Sequence, residues 1–305
     1  MSNLEDDWTV VTMAITSDFK QLILSRWNKC QESPVIVRVP LTDKNGEGDF
    51  NYLFDIQETL SSVIHTSLND GDQINSASPQ TNNSSENDAK WWEMRKKQDA
   101  TMNSLVNSKI PELLGLYKIM LLGTLNEEGN NLQSEIKKEI KDLEKKLSKE
   151  KISHEALYII INSLKTLNDS DITLLQEEFF GHLSKINKKE IEIFIKRMNK
   201  FIKDKDTEYS NVILILDKHL QNLPWECTPS LNERPVTRMP SLFFIKLQTD
   251  MINQSFTRNF YCKGINPENT YFILNPSQDL IVTQQRFEAS FKGYIFLFFN
   301  NFHVN

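Results

Sequence analysis

The chain has 305 residues, of which 39% are hydrophobic and 25% charged, and its net charge is -6 at pH 7. That length holds one large or two ordinary domains, and the acidic balance argues against a protein that wraps nucleic acid, which needs a concentrated basic face. No run of about 18 apolar residues occurs and the start, Met-Ser-Asn-Leu-Glu-Asp-Asp, is acidic, so neither a membrane span nor a signal peptide is expected.

In chain order, the segments Trp8 to Ile15, Leu22 to Trp27 and Val35 to Leu41 are rich in β-branched and aromatic residues, which predicts three strands. In the third, Val35, Val37 and Val39 alternate with Ile36, Arg38 and Pro40, so one face is expected to be buried and the other exposed. Residues Phe50 to Leu68 carry Leu53, Ile56, Leu60, Val63 and Ile64 at near-helical spacing. From 69 to 88 the composition turns to Asn, Ser, Asp, Gln, Gly and Pro, too poor in apolar surface to offset the entropy of ordering, and a disordered insertion is expected.

Helical periodicity dominates from Trp91 to Ile202. Leu132, Ile136, Ile140, Leu143 and Leu147 form a narrow seam among Lys and Glu residues, suited to coiled-coil-like packing. Broader apolar faces are predicted over 154 to 167 and 188 to 202, and Asp169 or Ser170 is expected to cap a helix carrying Ile172, Leu175 and Phe179. The plain reading of these helices is a solvated bundle packed on a sheet; a partner-binding arm is the sharper one.

The run Val212 to Leu216 is apolar without alternation, the mark of a short strand covered on both faces. Pro224, Pro229, Pro235 and Pro240 then push the residues before them away from helical geometry, giving a stiff extended connection. Ser241 is placed to cap a helix running through Phe243, Phe244, Leu247, Met251 and Ile252. Strand, rigid turn and helix follow one another.

As a connected string, Leu-Asp-Lys-His-Leu-Gln-Asn-Leu-Pro-Trp-Glu (216–226) followed by Pro-Val-Thr-Arg-Met-Pro-Ser (235–241) resembles the separase family. A second block, Gly264 to Leu280 with Thr283-Gln-Gln-Arg-Phe-Glu, is similar to that family's next element, with a buried strand at Tyr271 to Leu274 and a turn at Asn275-Pro276. A weaker match runs from Trp91-Trp92-Glu-Met-Arg-Lys-Lys-Gln-Asp to Leu113-Leu114-Gly115, so the resemblance spans about 91 to 292.

The resemblance implies an α/β fold, a caspase-like mixed sheet flanked by helices, with an inserted long-helix bundle. It divides the chain into N-terminal strands and helix (1–68), the insertion (69–88), a helical insert (89–205), the α/β signature segment (206–292) and a divergent tail (293–305). It implies a cysteine endopeptidase that cleaves the kleisin subunit of cohesin after arginine at anaphase, held by a securin-like inhibitor in the cytoplasm and nucleus. Such chemistry needs a thiolate beside a histidine and a backbone pocket for the oxyanion.

That apparatus is not visible. His65, His154, His182 and His303 lie in helices or the tail, His219 falls in a structural part of the family pattern, and Cys30, Cys227 and Cys262 lack glycine-rich surroundings. Their spacing also disfavours a disulfide framework or a zinc site. The family's Gly-His-Gly-like and Gly-Cys-Ser-like strings do not occur, and after Lys292 the pattern gives way to a Phe- and Asn-rich tail, expected to be translated intron-like sequence. The family's His and Cys would then lie beyond Asn305, with the catalytic half a missing partner. The signature positions Asp217, Lys218, Leu223, Pro224, Trp225, Glu226, Arg238, Pro240, Asn275, Pro276 and Phe287 are expected to be architectural, and no cofactor is implied. Two alternatives stay open: a catalysis-free separase-like binding protein, and an unrelated helical scaffold.

Overall fold

The structure is a computed structural model that describes residues 8–29, 31–42, 51–76, 84–127, 132–147, 150, 152–232, 234–253, 275 and 280–294. Its first three strands, β1 (Thr9–Ile15), β2 (Gln21–Asn28) and β3 (Val35–Pro40), pair antiparallel in sequence. The alternation in β3 buries Val35, Val37 and Val39 and exposes the residues between them, the half-buried pattern expected of it. Two further helices follow, α1 (Tyr52–Ser76) and α2 (Ser84–Ser104).

The insertion expected over 69 to 88 is described only in part. The backbone stays helical through Ser76 and is helical again from Ser84, leaving 77–83 outside the described residues. Once a helix is nucleated by a packed face, each added residue gains a hydrogen bond, so polar sequence can prolong it. Composition alone does not register that carry-over.

A π-helical turn (Leu105–Lys109), a short helix α3 (Ile110–Leu114) and a 3-10 turn (Gly115–Leu121) lead to a two-residue strand β4 (Leu125–Asn126). The bundle follows: α4 (Leu132–Lys146), α5 (His154–Ser163), α6 (Asp169–Phe180) and α7 (Lys185–Lys203). In α4 the predicted seam of Leu132, Ile136, Ile140 and Leu143 is buried. Every residue of α5 from Ala156 to Ser163 is buried, which makes it the central helix. The cap of α6 is Asn168, whose side chain accepts from the Asp171 N–H at 2.7 Å, and not Asp169 or Ser170.

The chain then returns to the sheet. A two-residue β5 (Glu208–Tyr209) pairs with β4, and β6 (Val212–Leu216) runs parallel to β1, with β7 (Val236–Arg238) parallel to β6. The five-stranded order is β3-β2-β1-β6-β7, a mixed sheet flanked by helices, the α/β class expected from sequence. The sheet therefore draws strands from both the 1–68 and the 206–292 segments.

Two compact units are distinguished, Met1–Leu242 and Phe243–Asn305. The second holds most of α8 (Leu242–Asn253), which starts directly after Ser241, and α9 (Ile281–Tyr294). The strand expected at Tyr271 to Leu274 and the tail 295–305 lie outside the described residues. Among the described residues no helix is long and apolar enough to cross a membrane.

Candidate functional site

In β1, β6 and β7 the chain runs the same way, so their carboxyl ends share one edge of the sheet. That edge is where α/β folds place their ligands, because the connections leaving the strands open a crevice there. The signature string begins at this edge, at the end of β6.

Asp217 continues the strand by one bond, its N–H donating to the Met13 carbonyl at 2.8 Å. Its carboxylate then accepts from the His219 N–H at 3.0 Å, which turns the chain sharply. Lys218 is exposed at the tip. Leu220, Leu223 and Trp225 fold back into the core, and Trp225 is fully buried with its indole N–H donating to the Leu220 carbonyl at 2.9 Å. A buried indole requires such an acceptor. Pro224 leads into one 3-10 turn, Trp225–Cys227, which places Glu226 on the outer side.

Arg238, the last residue of β7, closes the loop. Its Nε and Nη2 donate to the two oxygens of Glu226 at 2.5 and 2.6 Å, a fork-to-fork pair. Nη2 also donates to the Leu223 carbonyl at 2.8 Å, and Nη1 to that of Gln221. One guanidinium thus holds the ends of the turn together. Its hydrogen bonds keep the Glu226 carboxyl below the usual carboxylate range, and Glu226 in return holds Arg238 above its ordinary value. Pro240 lies just past this clasp, exposed.

Residues that the sequence reading passed over complete the edge. Phe19, in the β1–β2 turn, has a φ of 56°, the left-handed region that a bulky residue rarely adopts. Its carbonyl accepts from Asn51 Nδ2 at 2.7 Å, and its ring stands edge-on to His219 at 4.9 Å and tilted to Phe54 at 5.5 Å. Gln57 of α1 donates to the His219 carbonyl at 2.7 Å. No local pattern announces these contacts, since 32 residues separate Phe19 from Asn51 and 162 separate Gln57 from His219.

The other signature positions, Asn275, Pro276 and Phe287, belong to the second unit. Asn275, with φ 55°, accepts from the Leu280 N–H at 3.0 Å and donates to Gln284 Oε1 at 3.0 Å, fastening the start of α9. Phe287 is exposed on α9, and Pro276 lies outside the described residues.

Chemically, the polar groups at this edge are tied to one another and to the turn. Cys227 is a free, exposed thiol, while His219 faces Phe19 and His154 faces Glu144 at 3.2 Å. Cys30, Cys262 and His303 lie outside the described residues. Among the described residues no group of three or more His, Cys, Asp or Glu side chains is placed to hold a metal.

Comparison with known proteins adds what geometry alone does not. The family described as "Separin, protease domain" matches residues 17–296. The chain is 28% identical over 209 residues to a separin of Mus musculus, covering 67% of this chain and 9% of that protein. It is 25% identical over 313 residues to a separin of Schizosaccharomyces pombe, covering 94% of this chain and 16% of that protein. Two crystal structures of the Saccharomyces cerevisiae separase-securin complex superpose with TM-scores of 0.67 and 0.66 at 19% and 18% identity. They cover 96% and 94% of this chain and 20% of the matched chains, and at that identity they speak for the fold alone. The chain spans 9 to 16% of the length of the curated relatives it matches.

Proposed function

This chain belongs to the separin protease-domain family, matched over residues 17–296, and from that premise we propose that it forms the non-catalytic, partner-facing part of a separase. The whole enzyme would be the cysteine endopeptidase that cleaves the kleisin subunit of cohesin after arginine, acting in the cytoplasm and nucleus. The observation that carries the reading is the clasp at the sheet edge. Trp225, Glu226 and Arg238 use their polar atoms on one another and on the turn, so the signature residues build a rigid surface and do not activate a nucleophile.

A securin-like inhibitor is the partner this surface would take, a reading supported by the likeness to chains from separase-securin complexes. The family match leaves no room for an unrelated helical scaffold. A catalysis-free relative that only binds remains the second outcome of the test.

The test joins two assays on the 305-residue chain. A fluorogenic peptide ending in arginine stays intact, and a securin segment co-migrates with the chain in size exclusion. Hydrolysis that disappears in Cys227→Ala overturns the non-catalytic reading. Failure of securin to co-migrate overturns the partner. Addition of a separase protease half that restores cleavage of a kleisin segment separates the enzyme part from the binding-only relative.

A further inference from the structure

The five-stranded sheet ends in two edges that are finished differently. At one, β7 is three residues long and its Arg238 closes the clasp. At the other, β3 lies outside β2, and the phase of their ladder fixes which of its backbone groups are used. The Leu41 N–H donates to the Lys20 carbonyl at 2.8 Å, and in an antiparallel pair every second residue shares that direction, so Val35, Val37 and Val39 bond to β2. The other side of β2 agrees, since Gln21 turns its carbonyl to the Thr16 N–H at 3.0 Å. Ile36 and Arg38 therefore aim both N–H and C=O away from the sheet. Among the described residues neither backbone has a hydrogen-bond partner, and the Arg38 guanidinium has no ion pair. Both side chains are exposed, Ile36 at 61%.

Two donors and two acceptors thus repeat at a spacing of about 6.8 Å, two residues of extended chain. A row of that kind is complementary to another extended backbone and to no ion or small molecule. Pro34 and Pro40, which carry no N–H, bracket the open stretch, so it takes one short strand and does not template an unlimited pairing. The side chains of Ile36 and Arg38 lie on the face opposite the buried valines, where alternate residues of an added strand would stand beside them.

We infer that β3 receives one extended segment of a partner polypeptide, running antiparallel, with an acidic residue opposite Arg38 and an apolar residue two places later opposite Ile36. Antiparallel addition continues the pattern of β1, β2 and β3 and lets Ile36 and Arg38 each exchange both bonds with the residue opposite. The acid answers a guanidinium that has no counter-charge, and the apolar residue covers Ile36. A second copy is the poorer occupant. Pairing of two β3 strands about Val37 sets each Arg38 opposite Ile36 of the copy and supplies no acid. β3 and β7 are opposite edges, so this surface is separate from that of the signature turn.

The peptide Thr-Ser-Glu-Thr-Val-Ser-Thr, fluorescein-labelled at its amino end, is titrated into the full 305-residue chain and followed by anisotropy, with hydrogen exchange of the Ile36 and Arg38 amides read by NMR. Saturable binding and slowed exchange at both amides are expected. N-methylation of the peptide's Val removes the N–H that meets Ile36 and weakens binding about tenfold, the size of one lost hydrogen bond. N-methylation of its central Thr, whose N–H points away from β3, leaves binding unchanged. Arg38→Glu, at an exposed position, reverses the preference, so that a peptide with Lys in place of Glu binds this variant more tightly than the original peptide does. Absence of binding, equal losses from the two N-methyl peptides, or an unreversed preference in Arg38→Glu overturns the assignment. Slow exchange of both amides in the free chain overturns it in favour of a cover supplied by the chain itself, or by a second copy where the slowing grows with chain concentration.

Discussion

Trp225 concentrates the residue-scale argument. Its full burial and its bond to the Leu220 carbonyl predict that Trp225→Ala costs about 3–5 kcal/mol, the range for deleting a buried aromatic. Urea denaturation of the two proteins measures it, and a surface-like cost below about 0.5 kcal/mol contradicts core placement. Glu226 gives a pH-dependent counterpart. Its folded-state pKa is lowered by Arg238, so its stabilising contribution is complete above the ordinary value of 4.5 and is lost as the pH falls through the lowered one. The urea midpoint of the wild type therefore declines through that acid window more steeply than that of Glu226→Gln. Because both side chains are about a third exposed, solvent screening keeps the effect small, about 1 kcal/mol or less. The family resemblance made Trp225, Glu226 and Arg238 legible as a group, but not that they bond to each other. Arg26, buried on the inward face of β2, was invisible for a different reason: within Gln-Leu-Ile-Leu-Ser-Arg-Trp-Asn, the inward face of a strand is a matter of phase, and one arginine does not disturb a pattern read from its apolar neighbours.

The entry to the helical bundle and its exit meet where β4 and β5 pair. Ser210 donates its N–H to the Thr124 carbonyl at 2.8 Å and accepts from the Thr124 N–H through Oγ at 2.8 Å, sewing the entry to the bundle onto its exit. Gly123 lies against the Ser210 backbone so closely that an added Cβ collides with the Ser210 carbonyl oxygen. Backbone cannot step aside as a flexible side chain can, so Gly123→Ala is expected to destabilise by about 1–3 kcal/mol. Thermal unfolding checks it, and an unchanged midpoint means the seam relaxes without cost. This seam was beyond sequence reading, because β4 and β5 are two residues each and carry no periodicity. The long elements were legible for the opposite reason. Apolar runs in β1 and β6 and spaced apolar stripes in α4 and α7 are repeated signals that a single residue cannot erase. Caps fall between these cases: Asn168, Asp169 and Ser170 are all good cap residues in a row, and only the backbone angle at Asn168, extended at φ -86° and ψ 168°, selects one.

For the whole molecule, the distribution of the core decides what each part contributes. Among the described residues, every buried member of the main apolar cluster lies between Val11 and Leu231, within the unit that ends at Leu242. Among its described residues the second unit buries Ile245 and exposes other large apolar side chains, with Phe243 at 73% and Val282 at 78% of their full accessibility, together with Leu247, Leu280, Ile281 and Phe287. Exposed apolar side chains favour association of a free chain where they join into a patch. A chain ended after Leu242 keeps every described residue of that cluster and is therefore expected to unfold cooperatively in urea. It is also expected to stay monodisperse at concentrations where the full chain associates, as light scattering would show. Loss of more than about 2 kcal/mol on this truncation would mean that residues after Leu242 supply core that the cluster does not contain. A full chain that is monodisperse and melts as one cooperative monomer would show that its exposed apolar residues are too dispersed to drive association.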